Sequence, residues 1–450
     1  MGFSFFCYAL ILFLVPGRCL VERLPLHPPY PNYDHKLEQQ SHIILAGSLT
    51  ITATSSPSQN PTIVITFPPD RQQNLTFNSR QQGVAAITAL ALDQSPPTSG
   101  HISLAGFLST GEFSVFEFNH TAPLDPLNKY SYIPPGSSSH IIKAVYHHPL
   151  LVTLSQGFSL CLYDLSSGEI RLTQTLSSFT SYPPASLVLS TPSPTTYKLV
   201  LAYAVPVYPG HWSVGATEII ISKSLTYSTD SRSLTSSPAF LEELKHPLPS
   251  SMRVITTRTT RAVDVPLGWV DKNKLHAMRE QWSRKVSRVA DAQSDGKWLV
   301  LAPGDQIQEY AYPSPASSSS SSSLPPSHTS SLNSIFSSWN SPTGLQLYRL
   351  VLPVQSNSVS ASPPKLNFVR TLYGQTSPVT ALALADGRCV SLGLNGSIWV
   401  WDLEGGTGAE VAPADSSIIT NDFNLHTVSF DERQIITAYA GRVVVRRFDI

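Results

Sequence analysis

The sequence predicts an all-β propeller, a ring of four-stranded blades numbering seven, with six as the alternative, and one short connector helix. Three observations carry this reading. A strand, a tight turn and a second strand recur along the chain. The glycines at these turns are spaced by 46 (Gly111 to Gly157), by 45 (Gly396 to Gly441) and by 92, twice 46 (Gly304 to Gly396). A period in the mid-forties is that of a four-stranded blade. Charged residues make up only 13% of the 450 positions while prolines number 37, which excludes a coiled coil or helical bundle and points to many turns.

At the amino terminus, Phe3 to Val15 is an apolar run broken by Pro16-Gly17, too short for the ~20 helical residues that cross a bilayer core. No transmembrane span is expected. Residues 1–40 read as a hydrophobic segment, signal-like or irregular: no Lys or Arg precedes the run, and Gly17-Arg18-Cys19 is a poor cleavage site. The propeller is expected over 41–450. Its first strands are read at His42-IILAGSLTITAT and Thr62-IVITF, and the hairpins at Ile102-SLAGFLST-Gly111-EFSVFEF and Leu151-VTLSQ-Gly157-FSLCLYDL. Apolar residues on both sides of each turn mark buried antiparallel pairs. Lys198-LVLAYAV and Ala216-TEIIIS form a weaker copy, followed by Trp298-LVLAP-Gly304-DQIQEYAY, Cys389-VSLGLN-Gly396-SIWVWDL and Ile435-ITAYA-Gly441-RVVVRRFD. Upstream apolar stretches at Val84, Ile141, Val286, Val379 and Leu425 add a third strand to most units. The last strand is expected to close the ring against N-terminal strands.

Between 253 and 288 the chain is rich in Lys and Arg. Asp271 is an N-cap for a helix over 271–284 whose Leu275, Met278 and Trp282 share a stripe. Arg253, Arg258, Arg261, Lys272, Lys274, Arg279, Arg284 and Lys285 are candidates for a basic docking patch, with a solvated basic face as the plain alternative. Around Ser317 to Ser323, between Pro313, Pro315, Pro325 and Pro326, Ser and Pro supply too little apolar surface to offset chain entropy. A disordered insertion is expected near 313–342.

Gly374 to Gly406, GQTSPVTALALADGRCVSLGLNGSIWVWDLEGG, resembles a WD40 repeat throughout. The resemblance implies blade-bracing roles for Gln375, Ser391, Asn395 and Trp401, followed by the signature Asp402. Asn395-Gly396 reads as a two-residue type I′ turn, with Asn395 bonding the backbone or Ser391 and therefore closed to glycosylation. Residues 41–450 more widely resemble the propeller region of eukaryotic F-box/WD-repeat proteins. That resemblance implies substrate recognition in an SCF-type ubiquitin ligase, where F-box helices hold the Skp1 adaptor and the propeller holds the substrate. The first forty residues carry no Leu-Pro start or paired F-box helices, so a Skp1-type adaptor is expected only where the true N-terminus supplies an F-box.

No G-x-S-x-G, H-E-x-x-H, P-loop or G-x-G-x-x-G pattern is present, and no catalytic, cofactor-binding or metal-ligating set is expected. Asp295-Gly296 reads as a hairpin turn, and His147-His148 on an extended strand point to opposite faces, a poor chelate. Thirty basic residues balance thirty acidic ones, so no overall field draws nucleic acid. The sequence thus predicts a non-enzymatic scaffold whose protein partner sits on the loops of one face, in the cytoplasm or nucleus. The alternative is a secreted or luminal propeller glycosylated at Asn74 or Asn119; a propeller hydrolase is least supported.

Overall fold

A computed structural model of the chain describes residues 19–24, 41–68, 71–77, 83–97, 100–119, 127–134, 139–207, 210–224, 251–263, 271–304, 343–353, 363–414, 426–439 and 442–448. Seven four-stranded antiparallel sheets form a seven-bladed propeller. In chain order, blade one comprises Ser41–Ala46, Leu49–Thr54, Thr62–Phe67 and Arg71–Thr76, and blade two Ile87–Leu92, His101–Leu108, Phe113–Asn119 and Leu127–Tyr132. Blade three follows with Ile141–His147, Leu150–Ser155, Ser159–Asp164 and Arg171–Ser177, and blade four with Tyr182–Ser193, Thr196–Val207, His211–Ser224 and Ser251–Arg261. Blade five holds Val289–Ser294, Trp298–Pro303, Leu345–Val351 and Lys365–Leu372; blade six holds Val379–Ala385, Arg388–Gly393, Ile398–Asp402 and Thr407–Ala412. Thr427–Phe430, Gln434–Tyr439 and Arg442–Phe448 make three strands of blade seven.

The fourth strand of blade seven comes from the other end of the chain. Cys19–Leu24 pairs antiparallel with the last strand, from Cys19 opposite Phe448 to Leu24 opposite Val443. The boundary expected at residue 41 therefore falls inside the ring, because the terminal strand needs a hydrogen-bonding partner and the N-terminal segment supplies it. Packing completes the closure: Ile43 of blade one clusters with Ile436, Ala438, Val443 and Val445 of blade seven.

Burial follows position within each blade. The second strands are nearly continuous apolar runs buried on both sides, as in Leu150–Ser155, since each blade is sandwiched between two neighbours. First strands lie nearest the axis, where the blades converge and large side chains do not fit. Buried alanines stand there: Ala89, Ala292 and Ala381. The outermost strands, such as Arg171–Ser177, are largely exposed.

Two sequence expectations are corrected. Trp298–Pro303 does not form a hairpin across Gly304 with the residues that follow; its partner is Leu345–Val351, with Trp298 opposite Arg349. The polar segment Asp305–Tyr312 and the Ser/Pro stretch near 313–342 lie outside the described residues, so the long insertion separates two paired strands. At Asn395-Gly396 only Gly396 has positive φ, at 78°. Gly396 N donates to Gly393 O and Gly393 N to Ser397 O, a three-residue loop with a left-handed glycine rather than a type I′ turn.

The helix runs Lys272–Ser283, and the Asp271 carboxylate accepts from Lys274 N at 2.8 Å. Of its stripe, Met278 is buried, whereas Leu275 is 41% exposed.

Candidate functional site

In blade six the side chains anticipated from the repeat divide into two bonded groups. Trp401, only 1% exposed, donates from Nε1 to Ser391 Oγ at 2.9 Å, and Ser391 Oγ donates to Gln375 Oε1 at 2.6 Å. Asn395 belongs to the second group, apart from Ser391; its Oδ1 accepts from Ser377 Oγ at 2.7 Å and from Ser397 N at 3.1 Å. Asp402 caps the next turn by accepting from Glu404 N. Ser377 and Gly393 were not anticipated. A Cβ at Gly393 would collide with Ser377, Gln375 and Ser397, so glycine there lets the hydroxyls and the amide converge.

Histidines also join neighbouring blades. His42 Nε2 lies 2.9 Å from Ser55 Oγ and 3.1 Å from the Ile87 carbonyl of blade two. Burial pushes its pKa down to about 4. His426 Nδ1 lies 2.8 Å from Thr380 Oγ1, tying blade seven to blade six, and burial lowers it too. His147 and His148 face apart: the first packs edge-on against Tyr197, and the second lies 3.2 Å from Tyr146 Oη.

The first strands of all seven blades line an axial channel of about 1460 Å³. They run in one direction, as the parallel bridge between Asp93 and Tyr146 illustrates, so the channel has two unlike ends. At the end where the first strands start lie the inter-blade linkers and the turns between second and third strands. A second cavity, of about 380 Å³, lies at the opposite end near Asp295 and Asp386. Lys143 lies along both cavities. Asp291 also lines the wall; its carboxylate accepts from Leu382 N at 2.8 Å, Ala292 N at 2.8 Å and Gln293 Nε2 at 3.0 Å. Burial raises its pKa, opposed by Lys143 and by those donors.

At that second end, Asp93, Asp295, Asp386 and Asp431 directly follow first strands. Asp93 accepts from His148 N of the next blade, and Asp295 from Gly387 N of the next blade. At the other end, the described carboxylates of the linkers and turns are Glu112, which is buried, and Asp271 and Glu280 of the helix.

The eight basic candidates fall on two elements. Arg253, Arg258 and Arg261 belong to the outer strand of blade four; Lys272, Lys274 and Arg279 lie on the helix, with Arg284 and Lys285 just after it. Four are engaged elsewhere: Arg258 pairs with Glu218 at 3.7 Å, Arg261 donates to Thr180 Oγ1 at 3.3 Å, Arg284 lies over the Phe368 ring and Lys285 over Trp282. Asn74 is exposed on the outer strand of blade one, and Asn119 ends the third strand of blade two. Among the described residues, no group of three or more His, Cys, Asp or Glu could hold a metal ion, and no helix is long and apolar enough to cross a membrane.

A family model for the F-box protein pof12 β-propeller matches residues 69–425. The chain belongs to this pof12-type propeller family. The match begins in blade one and extends past the last strand of blade six. No curated protein matches the chain. Among solved structures, the β-propeller domain of Myceliophteria thermophila Cps50 (Swd1) is 9% identical over 90% of this chain and 99% of that one, with a TM-score of 0.41. The WD40 β-propeller domain of Doa1 is 12% identical over 90% of each chain, with a TM-score of 0.39. The computationally designed Ika8 protein is 10% identical over 90% of this chain and 82% of that one, with a TM-score of 0.39.

Proposed function

We propose that this pof12-type propeller is a protein-interaction scaffold that presents a substrate for ubiquitination in an SCF-type ligase. The observation that carries the reading is the family match over residues 69–425, since the family is named for an F-box protein. The propeller would hold the substrate on the loops of one face. A Skp1-type adaptor would be engaged by an F-box wherever the protein's true N-terminus supplies one. A site in the cytoplasm or nucleus suits that role, which needs no catalytic group in the propeller itself.

Proximity labelling in cells, followed by ubiquitin-remnant proteomics after depletion of the protein, tests this. The expected result is labelling of Skp1-type and cullin subunits together with a labelled protein whose ubiquitination falls on depletion. Labelling without ligase subunits and with unchanged ubiquitination overturns it. The secreted reading draws support from one feature, the exposed position of Asn74 on an outer strand. A mass decrease after treatment with a glycan-removing enzyme would favour it.

A further inference from the structure

We propose that the smaller cavity, near Asp295 and Asp386, binds a short zwitterion whose ammonium and carboxylate are separated by an aliphatic chain, that is, an ω-amino acid. This goes beyond the scaffold reading and does not depend on it. The cavity, of about 380 Å³, lies against the first strands of blades three to six and against Gln94, just past the first strand of blade two. Its size falls within the range of small-ligand sites. All seven first strands and the turns that directly follow them are described, apart from the uncharged Thr98-Ser99. The ionisable side chains of these segments are therefore all accounted for.

Among the described residues, the charged side chains that line it are Lys143, Asp295 and Asp386. Asp295 is already occupied: Oδ1 accepts from Lys297 N at 2.9 Å and Trp298 N at 2.7 Å, and Oδ2 from Gly387 N at 3.1 Å. Lys143 and Asp386 are open. Both are exposed, and among the described residues neither side chain has a hydrogen bond or an ion pair. They are opposite in sign, yet they stand on blades three and six and do not meet. Asp291 does not claim Lys143 either. It feels the ammonium charge, but its carboxylate is held by Leu382 N, Ala292 N and Gln293 Nε2. The backbone under each open charge is set. Asp386 and Gly387 have φ of 48° and 73°, the two positive values of a type I′ hairpin, and the Gly387 bond to Asp295 ties that turn to blade five. Lys143 follows Ile142, inserted as a bulge in its strand, and a bulge re-aims the side chains beside it. Half-buried Leu187, Val188 and Leu384 add apolar surface to the same wall. A cation and an anion held apart beside apolar surface match a ligand with the complementary charges at the two ends of a methylene chain. Each end would gain a charge-assisted hydrogen bond, and a ligand with a single charge leaves one of the two unmet.

The probes are γ-aminobutyrate and ε-aminocaproate, titrated into purified full-length protein by isothermal calorimetry up to about 10 mM, since a roughly millimolar Kd suits a ligand of so few atoms. Saturable binding of at least one is expected. Hexylamine and hexanoate, which each carry one of the two charges, are expected to bind about tenfold more weakly or less. Lys143→Met keeps the stem and removes the charge, and Asp386→Asn keeps the shape in a residue that tolerates the left-handed conformation. Each should weaken binding about tenfold or more, whereas Lys297→Met, on the same face but outside the cavity, leaves it unchanged. Both Lys143 and Asp386 are exposed, so thermal melts of the variants should match the parent and separate lost binding from lost fold. Absence of saturable binding overturns the proposal, as does equal binding of a singly charged analogue or unchanged affinity in either Lys143→Met or Asp386→Asn. No ligase subunit is present in this measurement. Its failure removes the small-molecule site alone, whereas failure of the labelling experiment removes the ubiquitination role alone.

Discussion

Trp401 packs within the blade-five and blade-six core cluster, and its one polar atom is satisfied by Ser391. Trp401→Ala removes a large buried ring and is expected to cost about 3–5 kcal/mol, read as a lowered denaturation midpoint. Asp402 is only partly buried and holds a turn amide, so Asp402→Ala should cost about 1 kcal/mol or less. Ser391→Ala lies between, at about 1–3 kcal/mol, because it strands the indole N–H and leaves Gln375 without its donor. Equal shifts for Trp401→Ala and Asp402→Ala would show that the indole is not a core group. His42 carries a pH dependence. Its folded pKa of about 4 lies below the free value of 6.5, so the unfolded chain binds the extra proton and stability falls as pH drops from about 6.5 to about 4. The loss attributable to His42 is at most ~3 kcal/mol. Urea midpoints measured across that window, for the parent and for His42→Gln, check it; the variant should show the shallower decline.

At the level of single elements, the N-terminal strand is the sharpest case. Deleting residues 1–24 leaves Arg442–Phe448 as an unpaired edge in blade seven. The expected outcome is faster hydrogen exchange in Gln434–Tyr439 and Arg442–Phe448, little change in blades two to five, and a greater tendency to aggregate. Unchanged exchange in blade seven would mean that the pairing of Cys19–Leu24 contributes nothing. This strand was not legible in the sequence: CLVERL follows an apolar run and carries charges of both signs, with no glycine turn to mark it. Second and third strands were legible, as in Leu150–Asp164, because burial on both sides writes continuous apolar runs around a glycine. Outer strands such as Arg71–Thr76 and Arg171–Ser177 were not, since exposure removes any apolar period. Gly304 misled because its spacing matched the repeat, whereas the hairpin there is split by a long insertion and the strand that completes it begins at Leu345.

At the scale of the whole molecule, the four-stranded blade followed from the glycine period, the count of seven from the number of copies and ring closure from the terminal strand, but the axial channel did not. Its lining comes from the first strands of all seven blades, and only the closed ring brings those segments together.

Joining the strand at 19–24 to the strand at 442–448 also sets when, during synthesis, the ring can close. Leu24 emerges from the ribosome long before Val443, and at ~5–20 residues per second the interval is roughly 20–80 s. Throughout that time the earlier blades can form pairwise, yet the first strand has nowhere to go and the terminal blade's edge does not exist. A chain arrested anywhere before its last strand is therefore an open arc with two unprotected ends, and such arrested chains should be the form that chaperones hold and proteases clear. The ring becomes a single cooperative object only once residues 442–448 have been made.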